Sequence, residues 1–322
     1  MGFSIIGTGS AAPEKVVSNL DLAAIMDTSD EWIRTRTGIT ERHVLNGESL
    51  EDLCVLAGQR ALEDSGIDPM ELDYLICATM NGDYTTPSLS SQLQKRLGTK
   101  AVCFDINAAC SGFIYALEMA DTYLNSGRAK KILVIGGDAV SRLADWQDRA
   151  SCILFGDGAG AAVLSNEGND LIEIHLTTDG SLSMLYAQSP RGNCPFSEKS
   201  EGSPYLIMNG QEVYRFAVSA IERDINLSLE RSGLSTGDID LFLLHQANRR
   251  IIDAARHKLG LNEEKFPMNI DHYGNTSSAT VPMLLDELAK SGRVKKGSTL
   301  LLSAFGAGLT TGCCIIKWSK QN

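Results

Sequence analysis

Short apolar runs alternate with amphipathic stretches along the whole chain, a pattern that predicts an α/β fold. Strand-like runs fall at 73–80, 101–107, 131–137, 160–165, 240–245 and 298–305. Helical spacing of apolar positions covers 51–65, 111–126, 211–232, 247–259 and 279–291. The segment 297–316 is free of charge and long enough to raise the question of a membrane span. Gly306, Gly308 and Gly312, with Ser303, Thr310 and Thr311, instead predict two buried strands around a glycine turn. No Pro- or Ser-rich linker divides the chain.

An internal repeat does divide it. ALEDSGIDPMELDYLIC (61–77) aligns with SLERSGLSTGDIDLFLL (228–244) at an offset of 167, each reading helix, Ser-Gly stop, acidic turn, strand. SGRAKK (126–131) matches SGRVKK (291–296) at an offset of 165. Two matches in the same order predict duplicated halves, 1–170 and 171–322. At the shorter offset Asn275 becomes the counterpart of Cys110; at the longer one His245 becomes that of Ala78. All lie near strand ends, where open α/β sheets present their sites.

Composition narrows the class without naming a function. The 322 residues are 43% hydrophobic and 21% charged, which is ordinary globular usage. A chain of this length buries about 75% of its unfolded surface and needs no disulfide or metal to fold. Twenty-nine basic against 40 acidic residues give a net charge of −11, which argues against nonspecific nucleic-acid or anionic-membrane binding. Cys54, Cys77, Cys103, Cys110, Cys152, Cys194, Cys313 and Cys314 form no C-x-x-C pair, so they read as reduced thiols of a cytoplasmic protein with no metal site. The N-terminus lacks the basic stretch of a signal peptide. IIGTGSAAP resembles a dinucleotide-binding glycine loop, but Ala12 replaces the third glycine and Pro13 interrupts the required helix.

Three side chains carry candidate chemistry. Cys110 sits between small residues in AACSG, ahead of a helix whose positive end is expected to lower the thiol pKa. His245 ends an apolar strand, as either a core histidine or an active-site donor. Asn275, in YGNTSS, is by itself an ordinary turn residue. Taken together they form a nucleophile with two neutral hydrogen-bond donors, suited to thioester acyl transfer through a stabilised oxyanion.

With these residues the sequence resembles the β-ketoacyl-acyl carrier protein synthase III family. The matching segments are SDEWIRTRTGITER (29–42), AACSGF (108–113), FGDGAGA (155–161), HQAN (245–248), NIDHYGNTSS (269–278) and AFGAG (304–308). The resemblance implies a thiolase-like fold, two duplicated α/β halves packed as a layered αβαβα sandwich. It implies a homodimer that condenses an acyl-CoA primer with malonyl-acyl carrier protein through an acyl-Cys110 intermediate, without cofactor or metal. His245 and Asn275 would hold the enolate oxygen of malonyl decarboxylation, and the backbone N–H groups of Cys110 and Ala307 the oxyanion of acyl transfer. A related condensing or acyl-transfer enzyme of secondary metabolism is the alternative.

The same resemblance assigns binding residues. Trp32 and Arg149 match the pair that sandwiches the CoA adenine, Arg36 a phosphate contact, and Asn248 a position in the pantetheine tunnel. Thr86 stands at the end of the acyl pocket, where a smaller side chain admits longer or branched primers. Arg249, Arg250, Arg256 and Lys258 read as a solvated helix face or as a docking patch for an acidic carrier protein, with Arg250 prominent. Two departures occur in AFGAGLTTG: Ala307 replaces a glycine and Thr311 a tryptophan.

Overall fold

Two sheets carry the chain, and their strand orders mirror one another. The computed structural model describes residues 2–188, 196, 203 and 205–321, so Cys194 lies outside the described residues. Strands β1 (Ser4–Ala11), β2 (Tyr74–Ala78), β3 (Val102–Ile106), β4 (Lys131–Ala139) and β5 (Asp157–Ser165) form a sheet of order β1-β5-β4-β2-β3. Strands β6 (Leu171–Ser181), β7 (Leu241–Leu244), β8 (Thr299–Gly306) and β9 (Gly308–Lys317) form the second, β6-β9-β8-β7. The pairing senses agree strand for strand. β5 lies antiparallel to β1 and β4, and β4 parallel to β2. Likewise β9 lies antiparallel to β6 and β8, and β8 parallel to β7. Only β3, parallel to β2 at the sheet edge, has no counterpart strand among the described residues.

The principal helices are α1 (Asp30–Thr37), α2 (Leu50–Ser65), α3 (Leu89–Leu97), α4 (Gly112–Asn125), α5 (Gly210–Ser232), α6 (Arg249–Leu259) and α7 (Thr280–Lys290). The Ser-Gly stops end α2 and α5 as left-handed caps at Gly66 and Gly233, φ 69° and 70°. Three apolar cores define five layers. One joins α2 and α3 to the first sheet, through residues such as Leu53, Leu93 and Leu133. A second joins α5 and α6 to the second sheet, through Ile225, Ile252 and Leu301. Between the sheets lies the third, where α4 and α7 contribute Leu117 and Leu285, both fully buried. Helices with this much apolar surface are stable only when covered on both sides, and truncating such a leucine costs about 2–5 kcal/mol. The thiolase-like αβαβα arrangement expected from sequence is the one observed.

The structure corrects the residue correspondence between the halves. Ahead of α4, Asn107 Oδ1 accepts from Ala109 N at 3.2 Å, and Ala109 is left-handed at φ 48°. Ahead of α7, Asn275 Oδ1 accepts from Ser277 N at 2.9 Å, and Ser277 is left-handed at φ 55°. At these turns the counterparts are therefore Asn107 with Asn275 and Cys110 with Ser278, not Cys110 with Asn275. The reason is helix length: α4 has 14 residues and α7 has 11, so the 165-residue offset applies only after the helices end.

Candidate active site

Each reactive side chain is delivered by a strand end or a strained turn. The left-handed backbone at Ala109 lets the chain reverse sharply out of β3, placing Cys110 in a short turn at the head of α4. Gly306, at the end of β8, approaches so closely that a β-carbon there would lie 2.7 Å from the Cys110 nitrogen; only glycine fits. His245 follows β7 directly, with its own N–H donated to the Ser303 carbonyl at 2.8 Å. Asn275 is held by Ser277 N at its Oδ1, which leaves its amide N–H groups for a substrate oxygen.

Cys110, His245, Asn275 and Ala307 line one cavity of about 1040 Å³. His245 and Asn275 are nearly inaccessible, at 1% and 6% exposure. Burial pushes the His245 imidazole down to about 3, so it is neutral throughout the physiological range. Its Nδ1 lies 2.7 Å from Thr280 Oγ1, and the Phe305 ring packs against it edge-on at 5.1 Å. Left-handed non-glycine residues are Ala109 and Ser277 among the described residues, so Ala307 takes the place of a glycine without left-handed strain. The other departure, Thr311, is absorbed by polar contacts: its hydroxyl pairs with Thr177 Oγ1 at 2.6 Å and accepts from Arg223 at 3.1 Å.

The expected lowering of the Cys110 pKa is not what the surroundings produce. Burial raises the thiol to about 12; the Ser277 hydroxyl, donating to Sγ at 3.3 Å, opposes this, and the Asp138 carboxylate adds to it. Cys110 therefore rests as a thiol. Asp138 is itself fully buried, and accepts from Thr79 Oγ1, Met80 N, Ser278 N and Ser278 Oγ. It ties the second turn to the first sheet.

The binding residues assigned from sequence are only partly brought together. Trp32, Arg36 and Asn248 line the cavity, and Asn248 also caps α6 by accepting from Arg250 N at 2.9 Å. Arg149 stacks on Trp32, its guanidinium 4.9 Å from the ring centroid, and Arg36 lies over the ring at 4.4 Å. The Trp32–Arg149 pair is thus closed on itself, and a base enters only if Arg149 swings aside. Thr86 is exposed and does not line the cavity: its loop runs over the outside of the chain, and the apolar lining comes instead from Met80, Val140, Leu154, Leu185 and Leu206.

The basic patch also contracts. Arg249 pairs with Asp253 and Glu263, Arg256 with Asp253, and Lys258 with Glu222. Arg250 keeps its charge uncompensated by any carboxylate among the described residues, lining the cavity beside Tyr214 at 5.8 Å. Sequence reasoning missed Arg215, Ser277 and Thr280. Arg215 also lines the cavity from α5, and no spacing signal distinguishes it from a solvated helix residue.

Comparison with known proteins settles the family. Models described as 3-oxoacyl-[acyl-carrier-protein] synthase III and its C-terminal part match residues 104–180 and 229–318. A curated relative named β-ketoacyl-[acyl-carrier-protein] synthase III, from Clostridium acetobutylicum, is 46% identical over 320 residues, 98% of each chain. The chain belongs to the β-ketoacyl-acyl carrier protein synthase III family. Among solved members, the synthase III of Aquifex aeolicus is 42% identical, covers 98% of this chain and 100% of its own, and superposes with a TM-score of 0.92. The priming β-ketosynthase of a polyketide biosynthetic pathway is 36% identical over 100% of this chain and 97% of its own, with a TM-score of 0.93. The β-ketoacyl-acyl carrier protein synthase III resemblance read from sequence is thereby borne out, as are the fold and the class of condensing acyltransferases.

Proposed function

We propose that the chain starts fatty-acid synthesis by condensing an acyl-CoA primer with malonyl-acyl carrier protein. One observation carries this reading: a half-buried thiol, a neutral histidine and an oriented asparagine amide share one cavity with an arginine-lined mouth. The Cys110 sulfur attacks the acyl-CoA carbonyl, and the thiol proton leaves with CoA as its free thiol. Because the resting thiol is neutral, charge develops only as the carbon–sulfur bond forms, where the Ser277 hydroxyl and the N–H groups of Cys110 and Ala307 receive it.

Malonyl-acyl carrier protein then loses carbon dioxide. The electron pair of the broken bond becomes an enolate, its oxygen held by His245 Nε2–H and the Asn275 amide. The enolate carbon attacks the acyl-Cys110 carbonyl, the carbon–sulfur bond breaks, and the thiolate takes one proton from solvent. The 3-oxoacyl chain stays on the carrier. No step requires an additional cofactor or metal. The described residues contain no cluster of three or more potential metal ligands, and no helix long and apolar enough to cross a membrane.

Arg36, Arg215 and Arg250 at the mouth suit CoA and phosphopantetheine phosphates, and Arg250 suits an acidic carrier. Trp32 with Arg149 suits adenine once Arg149 moves, and Asn248 the pantetheine amides. Primer selection by Thr86 requires a homodimer in which that loop reaches a partner's pocket. The mirrored sheets support a division into halves 1–170 and 171–322, and the thiol and substrate chemistry a cytoplasmic site of action. The test is release of labelled carbon dioxide from malonyl-acyl carrier protein. Release that depends on acyl-CoA and yields a 3-oxoacyl carrier supports the reading; acyl-CoA consumption without it overturns the reading. The polyketide relative favours a second reading, a priming synthase of secondary metabolism, which a strong preference for a specialised primer and carrier would support.

A further inference from the structure

His245 has two ring nitrogens and the proposed chemistry needs its proton on one of them. An imidazole alone does not favour Nε2–H enough to guarantee this, so the surroundings must choose. Nδ1 lies 2.7 Å from Thr280 Oγ1, and both side chains are almost completely buried, at 1% and 2% exposure. Thr280 is the first residue of α7. Its hydroxyl has no other hydrogen-bond partner among the described residues.

Two arrangements satisfy that 2.7 Å contact, and they are unequal. If Nδ1 carried the proton, it would donate to Thr280, whose own hydroxyl proton would then be buried with no acceptor. Nε2 would also turn a lone pair toward the developing enolate. If the hydroxyl donates to Nδ1, every buried proton at the contact is used, and Nε2 carries the ring proton toward the cavity. We propose that Thr280 is a positioning residue that fixes His245 as the Nε2–H tautomer, and so makes it a donor to the enolate oxygen. This rests on the condensing-enzyme reading above. In the repeat, the Thr280 position corresponds to Gly112 at the head of α4, so only the second half carries this device.

The test uses the full chain labelled with nitrogen-15 histidine, with the His245 signals assigned by loss in His245→Ala. Wild type and Thr280→Ser are expected to show an unprotonated Nδ1 and a protonated Nε2 at neutral pH. Thr280→Val, which keeps the branched shape and removes the hydroxyl, is expected to lose that pure signature. Carbon dioxide release from malonyl-acyl carrier protein should fall on the order of tenfold in Thr280→Val and return in Thr280→Ser. Acyl transfer to Cys110 should fall much less than decarboxylation. A protonated Nδ1 in wild type, or an unchanged tautomer with unchanged decarboxylation in Thr280→Val, overturns the proposal. The tautomer signal is read without turnover, so it decides the proposal even if wild type fails to condense, an outcome that would sink the functional reading alone.

Discussion

The two turns that head α4 and α7 are built alike and used differently. Each has an asparagine whose side chain accepts from the backbone two residues on, and each has a left-handed residue at that second position. In the first turn the asparagine, Asn107, is exposed, and the residue three positions on, Cys110, faces the cavity. In the second the roles are exchanged: Asn275 is buried and lines the cavity. The counterpart of Cys110, Ser278, points away, its single hydroxyl proton shared between Asp138 Oδ2 at 2.7 Å and the Ala78 carbonyl at 2.9 Å. The same backbone device thus presents a nucleophile from one half and a donor from the other. The duplicated scaffold places groups; which position of the turn faces substrate decides the chemistry.

The contrast can be broken most sharply at Asn275. Asn275→Ala removes one donor to the enolate oxygen and should lower condensation about 10²–10³-fold, while acyl transfer to Cys110 changes far less. Single-turnover acylation and carbon dioxide release, measured on the same preparation, separate the two. Equal losses in both steps would mean the second turn serves the thiol as well. Ser278→Ala should act on stability instead. It strips a fully buried carboxylate of a hydroxyl donor, an expected loss of about 1–3 kcal/mol in urea unfolding with acyl-Cys110 formation retained.

Ser277→Ala probes the one side-chain donor that crosses between the turns. Losing its hydrogen bond should raise the Cys110 pKa further and slow alkylation by iodoacetamide roughly fivefold to tenfold at mildly alkaline pH. An unchanged rate would assign thiol reactivity to the backbone alone. The smallest effect expected is in the pH profile of stability, where two buried histidines differ. His245 is held at about 3, below its ordinary 6.5, so its contribution is complete above 6.5 and is lost as pH falls toward 3. His175 is pulled down by burial, but Asp224 and Glu173 outweigh this and lift it to about 9. Its contribution is complete below 6.5 and lost as pH rises through 9. Thermal unfolding between pH 5 and 10 should show a shallower alkaline decline in His175→Gln than in wild type.

Much of this architecture is legible in the chain. Apolar periodicity locates α2, α4, α5 and α7 to within a residue or two, because caps such as Gly66 and Gly233 write helix ends into the sequence. Cys110 and His245 stand out because strand ends are where α/β sheets expose side chains. What escapes is whatever depends on distance in space. Ser277 and Thr280 are ordinary hydroxyl residues in the sequence, and nothing in their spacing shows one touching Cys110 and the other His245. The counterpart of Cys110 is misjudged because helix length differs between halves, which a fixed offset cannot register. The thiol pKa is misjudged because a helix end is visible in sequence and the desolvation of the sulfur inside the cavity is not.

Cys110 alone among the thiols is expected to carry the acyl group. Intact-mass spectrometry after mixing the protein with a panel of acyl-CoAs tests it most directly. The expected result is one acyl adduct per chain on wild type, mapped to Cys110 by peptide mass, and none on Cys110→Ala. An adduct that persists in Cys110→Ala, or that maps to another cysteine, would contradict the account.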